Sequence, residues 1–255
     1  MTSTPLAAQI DYRNLDDDRP VTTEDAYPVE HGAFEFLLPI SYERGRAGGQ
    51  EYVMTPELTY GFIRNGQVGV KLPLAAVGGS ADYRWGLSGP RVFGLYNVNT
   101  EGKVIPAVSA RVDVLVPIGT LAGQTTRISL KAIATRGWGS TRVHANAIWT
   151  LGREIDPVAV DPGFRTSYSV ALDRTLFRQS TLLIAELAAQ RPVDGAPVQV
   201  NAAIGARYQW TPTTVLDLGV RRGLRRSAGP SLGVTLGFSH AFGFPWLMPG
   251  SRQHD

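Results

Sequence analysis

Four histidines and no cysteine limit the chemistry that this 255-residue chain can perform. The lack of cysteine removes thiol nucleophiles, disulfide scaffolds, Cys-ligated zinc and iron–sulfur clusters. Among His31, His144, His240 and His254, only His240 adjoins a hydroxyl nucleophile, Ser239. A Ser–His hydrolase also needs an orienting acid beside the pair, yet neighbours in an extended strand point to opposite faces. Phosphate loops, HExxH and GxSxG are absent. Asp16-Asp17-Asp18 could attract calcium, but no EF-hand spacing follows and a solvated acidic run is the plainer reading. Asp156-Pro157 and Asp161-Pro162 read as turn initiators. We therefore expect no catalytic residue, no metal site and no cofactor. What remains is charge placed at regular intervals: Glu57, Lys71, Arg111, Asp113, Arg127, Lys131, Arg142, His144, Glu186, Arg207, Asp217 and Arg221.

These residues sit in segments of period two. Along residues 198–210, Val198, Val200, Ala202, Ile204, Ala206, Tyr208 and Trp210 alternate with Gln199, Asn201, Ala203, Gly205, Arg207 and Gln209. A strand sends the two sets to opposite faces, whereas a helix would scatter them. About twelve such segments follow one another, near 33–44, 51–62, 67–75, 90–98, 104–117, 125–135, 141–151, 166–173, 181–190, 198–210, 213–222 and 231–242. The fourth and ninth alternate least, at Phe93-Gly94-Leu95 and Leu182-Leu183-Ile184. Arg64-Asn65-Gly66 signals a hairpin with positive φ. The connections at 75–89, 118–124, 152–165, 191–197 and 223–230 are longer than those between them. Short turns on one side and long loops on the other describe an up-and-down antiparallel barrel of the outer-membrane type.

Composition agrees with a folded all-β chain, with 43% hydrophobic residues and a net charge of only +3. No run of about 18 apolar residues occurs, which excludes a helical membrane span. Three lysines accompany arginines dispersed along the whole length, so the basic charge does not mark a nucleic-acid partner.

Alternation alone does not say which face meets water. Long charged residues in mid-strand favour a polar lumen and an outside facing outer-membrane lipid. Aromatic residues near segment ends, Tyr42, Tyr60, Trp149, Tyr208, Trp210 and Phe242, suit the membrane–water boundary. An even strand number places both termini on one side, the periplasm of a bacterial envelope. Residues 1–32 then form an acidic, extended periplasmic segment or a lumen plug, 33–242 the barrel, and 243–255 a tail. Leu6-Ala7-Ala8-Gln9 resembles the end of a signal peptide whose basic start and apolar core are missing. Inside, Glu35, Glu43, Glu57, Asp113, Asp173, Glu186 and Asp217 oppose Lys71, Arg91, Arg111, Arg127, Lys131, Arg142, Arg207 and Arg221. This near balance predicts mutual pairing and a narrow or obstructed pore.

Several stretches resemble the "meta-pathway of phenol degradation-like" family of outer-membrane barrel transporters. They are Arg19-Pro20 before Gly32-Ala33-Phe34-Glu35-Phe36, Pro56-Glu57-Leu58-Thr59-Tyr60-Gly61 with Gln67-Val68-Gly69-Val70-Lys71-Leu72-Pro73, and Val114-Leu115-Val116-Pro117-Ile118-Gly119. Gly205-Ala206-Arg207-Tyr208-Gln209-Trp210-Thr211, Leu216-Asp217-Leu218-Gly219-Val220 and Gly233-Val234-Thr235-Leu236-Gly237-Phe238 resemble its last three strands. The tail beyond Phe242 departs from the family, whose chains end at a terminal aromatic. The resemblance implies uptake of small, often aromatic or hydrophobic, solutes and supplies no catalytic residues. Three functions thus stand in order: a passive channel, a non-conducting barrel that docks an envelope protein partner, and a hydrolase built on His240.

Overall fold

The structure, a computed structural model, describes residues 11–79, 82–151, 164–176, 180–192, 196–226, 228–244 and 246–247. Residues 6–9, Asp156-Pro157, Asp161-Pro162, His254 and the end of the tail lie outside the described residues.

The strands are β1 (Ala33–Arg44), β2 (Gln50–Met54), β3 (Glu57–Ile63), β4 (Gly66–Lys71), β5 (Leu74–Gly79), β6 (Asp82–Leu87), β7 (Arg91–Asn99) and β8 (Ala107–Leu115). They continue with β9 (Arg127–Trp138), β10 (Thr141–Leu151), β11 (Phe164–Thr175), β12 (Thr181–Pro192), β13 (Gln199–Thr211), β14 (Thr214–Gly223) and β15 (Leu232–Gly243). All pair antiparallel in one sheet, and β15 returns to β1 from Ala33↔Gly243 to Arg44↔Leu232. Three pairs of segments continue each other: β2 with β3, β4 with β5, and β6 with β7. The result is a closed barrel of twelve staves, matching the twelve expected segments.

Proline explains the three breaks. Pro39, Pro56, Pro73 and Pro90 lie side by side on four neighbouring staves, and each carbonyl accepts from the next stave. The donors are the N–H groups of Thr55 (3.0 Å), Leu72 (2.9 Å), Ser88 (2.9 Å) and Val116 (2.8 Å). Because proline has no N–H to return, the ladder bends along this line.

Beyond the bend the expectation for 75–89 fails. It is not a loop but the hairpin β5–β6, and β6 pairs with β5 alone. The Asn65-Gly66 turn also differs, since neither residue has positive φ. A register shift between Tyr60 and Ile63 supplies the twist that a type I′ turn would give.

The two faces separate as alternation requires. On β14, Leu216, Leu218 and Val220 are exposed while Val215 and Asp217 are buried. The two poorly alternating segments have a physical cause. Leu182 and Ile184 face inward and pack on Leu15 and Val21; Leu95 faces inward and packs on Ala26. Their inner faces are apolar because the N-terminal segment covers them.

Candidate functional site within the barrel

Residues 11–32 lie inside the ring, where inward side chains read their backbone as an extended peptide. Gln67 Oε1 accepts from the Val29 N–H (2.6 Å) and Thr135 Oγ1 from the Ala26 N–H (3.0 Å). The Ala26 carbonyl accepts from Asn97 Nδ2 (2.9 Å) and Ser109 Oγ (2.5 Å). Asn146 clamps Glu24 on both sides, accepting from its N–H and donating to its carbonyl, each at 2.8 Å. Glu186 accepts from the Thr23 N–H and hydroxyl, both at 2.6 Å. A buried backbone group without such a partner would be costly, so these inward side chains fix the path of the segment.

Charge sets its register through three clusters. In the first, Lys71, Arg111 and Lys131 converge on Asp17 and Glu24. Lys131 Nζ lies 2.8 Å from Asp17 and 2.9 Å from Glu24. Lys71 reaches Asp17 at 3.2 Å and Glu57 at 3.2 Å. Arg111 holds Glu24 at 2.8 Å and Asp113 at 2.7 Å, with its guanidinium 3.8 Å from the centre of the Phe93 ring. In the second, Arg19 of the segment enters an acidic site, 2.9 Å from Asp217 and 3.7 Å from Glu35, while Arg207 bonds Asp217 (2.5 Å) and Asp16 (3.2 Å). In the third, Asp173 joins Arg142 (2.7 Å) and His144 (2.9 Å), and Arg142 turns to Asp25 (3.3 Å) and the Arg13 carbonyl. His144 also meets Thr135 Oγ1 at 3.0 Å.

Close approach needs bare backbone. A Cβ on Gly219 would collide with the Pro20 carbonyl, and one on Gly61 with the carbonyls of Val29 and Glu30. The Gly32 N–H donates to the Gly61 carbonyl at 2.7 Å.

The charged residues singled out by spacing all lie on the inward parity. Glu57, Lys71, Arg111, Lys131, Arg142, His144, Glu186, Arg207 and Asp217 meet in or beside this site, and Asp113 joins it through Arg111. Arg127 is buried on β9. Arg221 stands apart, paired with Glu43. The wall charges were expected to pair with one another, and Lys71 with Glu57, Arg111 with Asp113, Arg142 with Asp173, Arg207 with Asp217 and Arg221 with Glu43 do so, but both carboxylates that Lys131 meets belong to the segment. Asn97, Ser109, Thr135, Asn146, Gln67, Gly61 and Gly219 were missed, since only their inward parity marks them. The three aspartates face lysine and arginine side chains.

On the outward face, Trp149, Tyr208 and Trp210 are exposed. Trp149 packs edge-on to Tyr168, Tyr42 lies against Tyr52, and Tyr60 and Phe242 stack on Phe34. His240 contacts Thr214 (3.1 Å) and stacks with Phe242, while Ser239 is buried on the opposite face, so the two do not form a hydrolytic pair.

No protein-family model and no curated protein matches the sequence. Solved structures do match. An outer-membrane channel from Pseudomonas putida F1 is 16% identical, with a TM-score of 0.64 over 87% of this chain and 100% of its own. The KdgM porin is 11% identical, with a TM-score of 0.54 over 82% of this chain and 99% of its own. The NanC porin is 8% identical, with a TM-score of 0.50 over the same shares. The closed antiparallel ring, with its apolar outer surface and polar, charge-filled interior, thus has the fold of these outer-membrane β-barrels.

Proposed function

We propose that this chain is a passive outer-membrane channel for a small solute, with a narrow charge-lined lumen that residues 11–32 hold partly closed as a plug. The observation that carries the reading is the bipartite fit of the segment, whose Arg19 meets Asp217 and Glu35 while its Asp17 and Glu24 meet Lys71, Arg111 and Lys131. Arg111, Asp113, Arg127, Lys131, Arg207, Asp217 and Arg221 are the selectivity or pairing groups. Both termini face the periplasm in this reading, beside the short turns. The solved neighbours named as channels support passive passage, and the resemblance to the phenol-degradation barrels suggests an aromatic or hydrophobic solute.

The test is conductance in a planar bilayer, for the full chain and for a chain lacking residues 1–32. Discrete openings that grow on truncation are expected. The density of ion pairs inside the ring favours a second reading, a non-conducting barrel that docks an envelope protein. Silence from both chains, each folded into a heat-modifiable barrel, would overturn the channel, and a defined stoichiometric partner would then establish the docking barrel.

A further inference from the structure

We infer that Lys71, Arg111 and Lys131, with Arg111 set on the buried Phe93 ring, form a binding site for small organic carboxylates, and that Asp17 is its built-in occupant. The inference deepens the channel reading and rests on it for the solute's route. The wall gives these three cations only two carboxylates, Glu57 on Lys71 and Asp113 on Arg111. The segment supplies the remainder through Asp17, which reaches all three, and Glu24. Neither of the other clusters has this character. In the second the wall sets two carboxylates, Asp217 and Glu35, against one cation, Arg207, which pairs with Asp217, and the segment adds Arg19 to both carboxylates. Arg142 already has Asp173. The trio is therefore the one place among the described clusters where the wall alone carries excess positive charge.

Two features make it a site and not merely an anchor. The first is access. The Asp18 side chain is 49% exposed and the Asp17 side chain 16%, while Lys71, Arg111 and Lys131 behind them are 3% or less. The acidic turn thus stands at the water boundary, in front of the cations. Residues 23–29 are clamped by Glu186, Asn146, Thr135, Asn97, Ser109 and Gln67, whereas Asp17 is held only by the trio's ion pairs. The second is the ring. Phe93, itself buried, lies under Arg111 and 5.8 Å from the Lys71 ammonium, so it holds the cations in place for a carboxylate. A small organic carboxylate meets this preset trio, its oxygens replacing those of Asp17. A neutral solute of the same shape does not.

The experiment measures equilibrium binding of benzoate and of benzyl alcohol to the refolded full-length barrel by titration calorimetry. Asp17→Asn keeps the shape of the turn and removes one competing charge. Benzoate is expected to bind at least tenfold more tightly to D17N than to the parent, and benzyl alcohol equally to both. Adding Lys131→Met to D17N should abolish the gain. Glu24→Gln acts on the same trio from the other side and should shift benzoate binding in the same direction, which keeps the test open if D17N does not fold. Unchanged benzoate affinity in a folded D17N, or an equal gain for benzyl alcohol, would overturn the site. Binding is read without conduction, so a silent barrel that gains benzoate affinity overturns the channel and leaves the site standing.

Discussion

Around residues 11–32 the wall is filled, and nearly every inward side chain there is buried against the segment. On the far side of the proline line, β5 pairs with β2 and β6 pairs with β5 alone, and Asp82, Tyr83, Arg84 and Trp85 on β6 are exposed on both faces. The same chain thus contains a region where each charge is locked by a partner and one where side chains carry almost no structural duty. Alternation of residue type does not by itself make a wall rigid. Rigidity here comes from what lies within the wall, because buried ions tolerate no missing partner.

Substitutions can break or sharpen that contrast. The largest loss is expected from Asp173→Ala, which takes the wall carboxylate from both Arg142 and His144 and leaves Arg142 only its contacts to the segment; about 3–5 kcal/mol should disappear in a urea unfolding titration. A loss near zero would mean that the interior is wetter than the contacts imply. Leu218→Arg, one residue from Asp217 but on the lipid side, should cost about 2–4 kcal/mol in bilayers, less if the site lies near an interface. A smaller cost, about 1–3 kcal/mol, is expected from Gly219→Val, whose side chain would displace the Pro20 carbonyl. Its distinguishing readout is current, which should rise as the segment is pushed aside while the barrel stays closed. Trp85→Ala on the hairpin should change stability by less than about 0.5 kcal/mol. A larger effect there would show that the hairpin is held by something the ring does not contain.

The same contrast explains what could be read from sequence. The twelve staves were legible because lipid and lumen impose opposite demands on successive residues, as Leu218 and Asp217 illustrate. Where both faces of a strand meet one medium, the demand vanishes. Residues 75–89 therefore looked like a loop, although β5 and β6 pair residue by residue from Leu74↔Leu87 to Gly79↔Asp82. Leu182 and Ile184 blurred the pattern for another reason: a distant part of the chain covers them, and no local window contains Leu15 or Val21. The charged inward residues could be named from parity. Their partners could not, since Lys131 might pair with any carboxylate in the lumen until the register of the segment fixes Asp17 and Glu24.

That register also orders events in time. Asp16 bonds Arg207 across a sequence separation of 191, and Asp17 bonds Lys131 across 114. The first described residues to be synthesised must therefore wait for β13 and β14 before Asp16, Arg19 and Pro20 find their places. Until then an acidic strand-free tether precedes β1, and its docking draws β13 and β14 toward the strand that β15 must join. Such long loops close slowly. The segment that fills the finished barrel is, during assembly, a drawstring on the last seam.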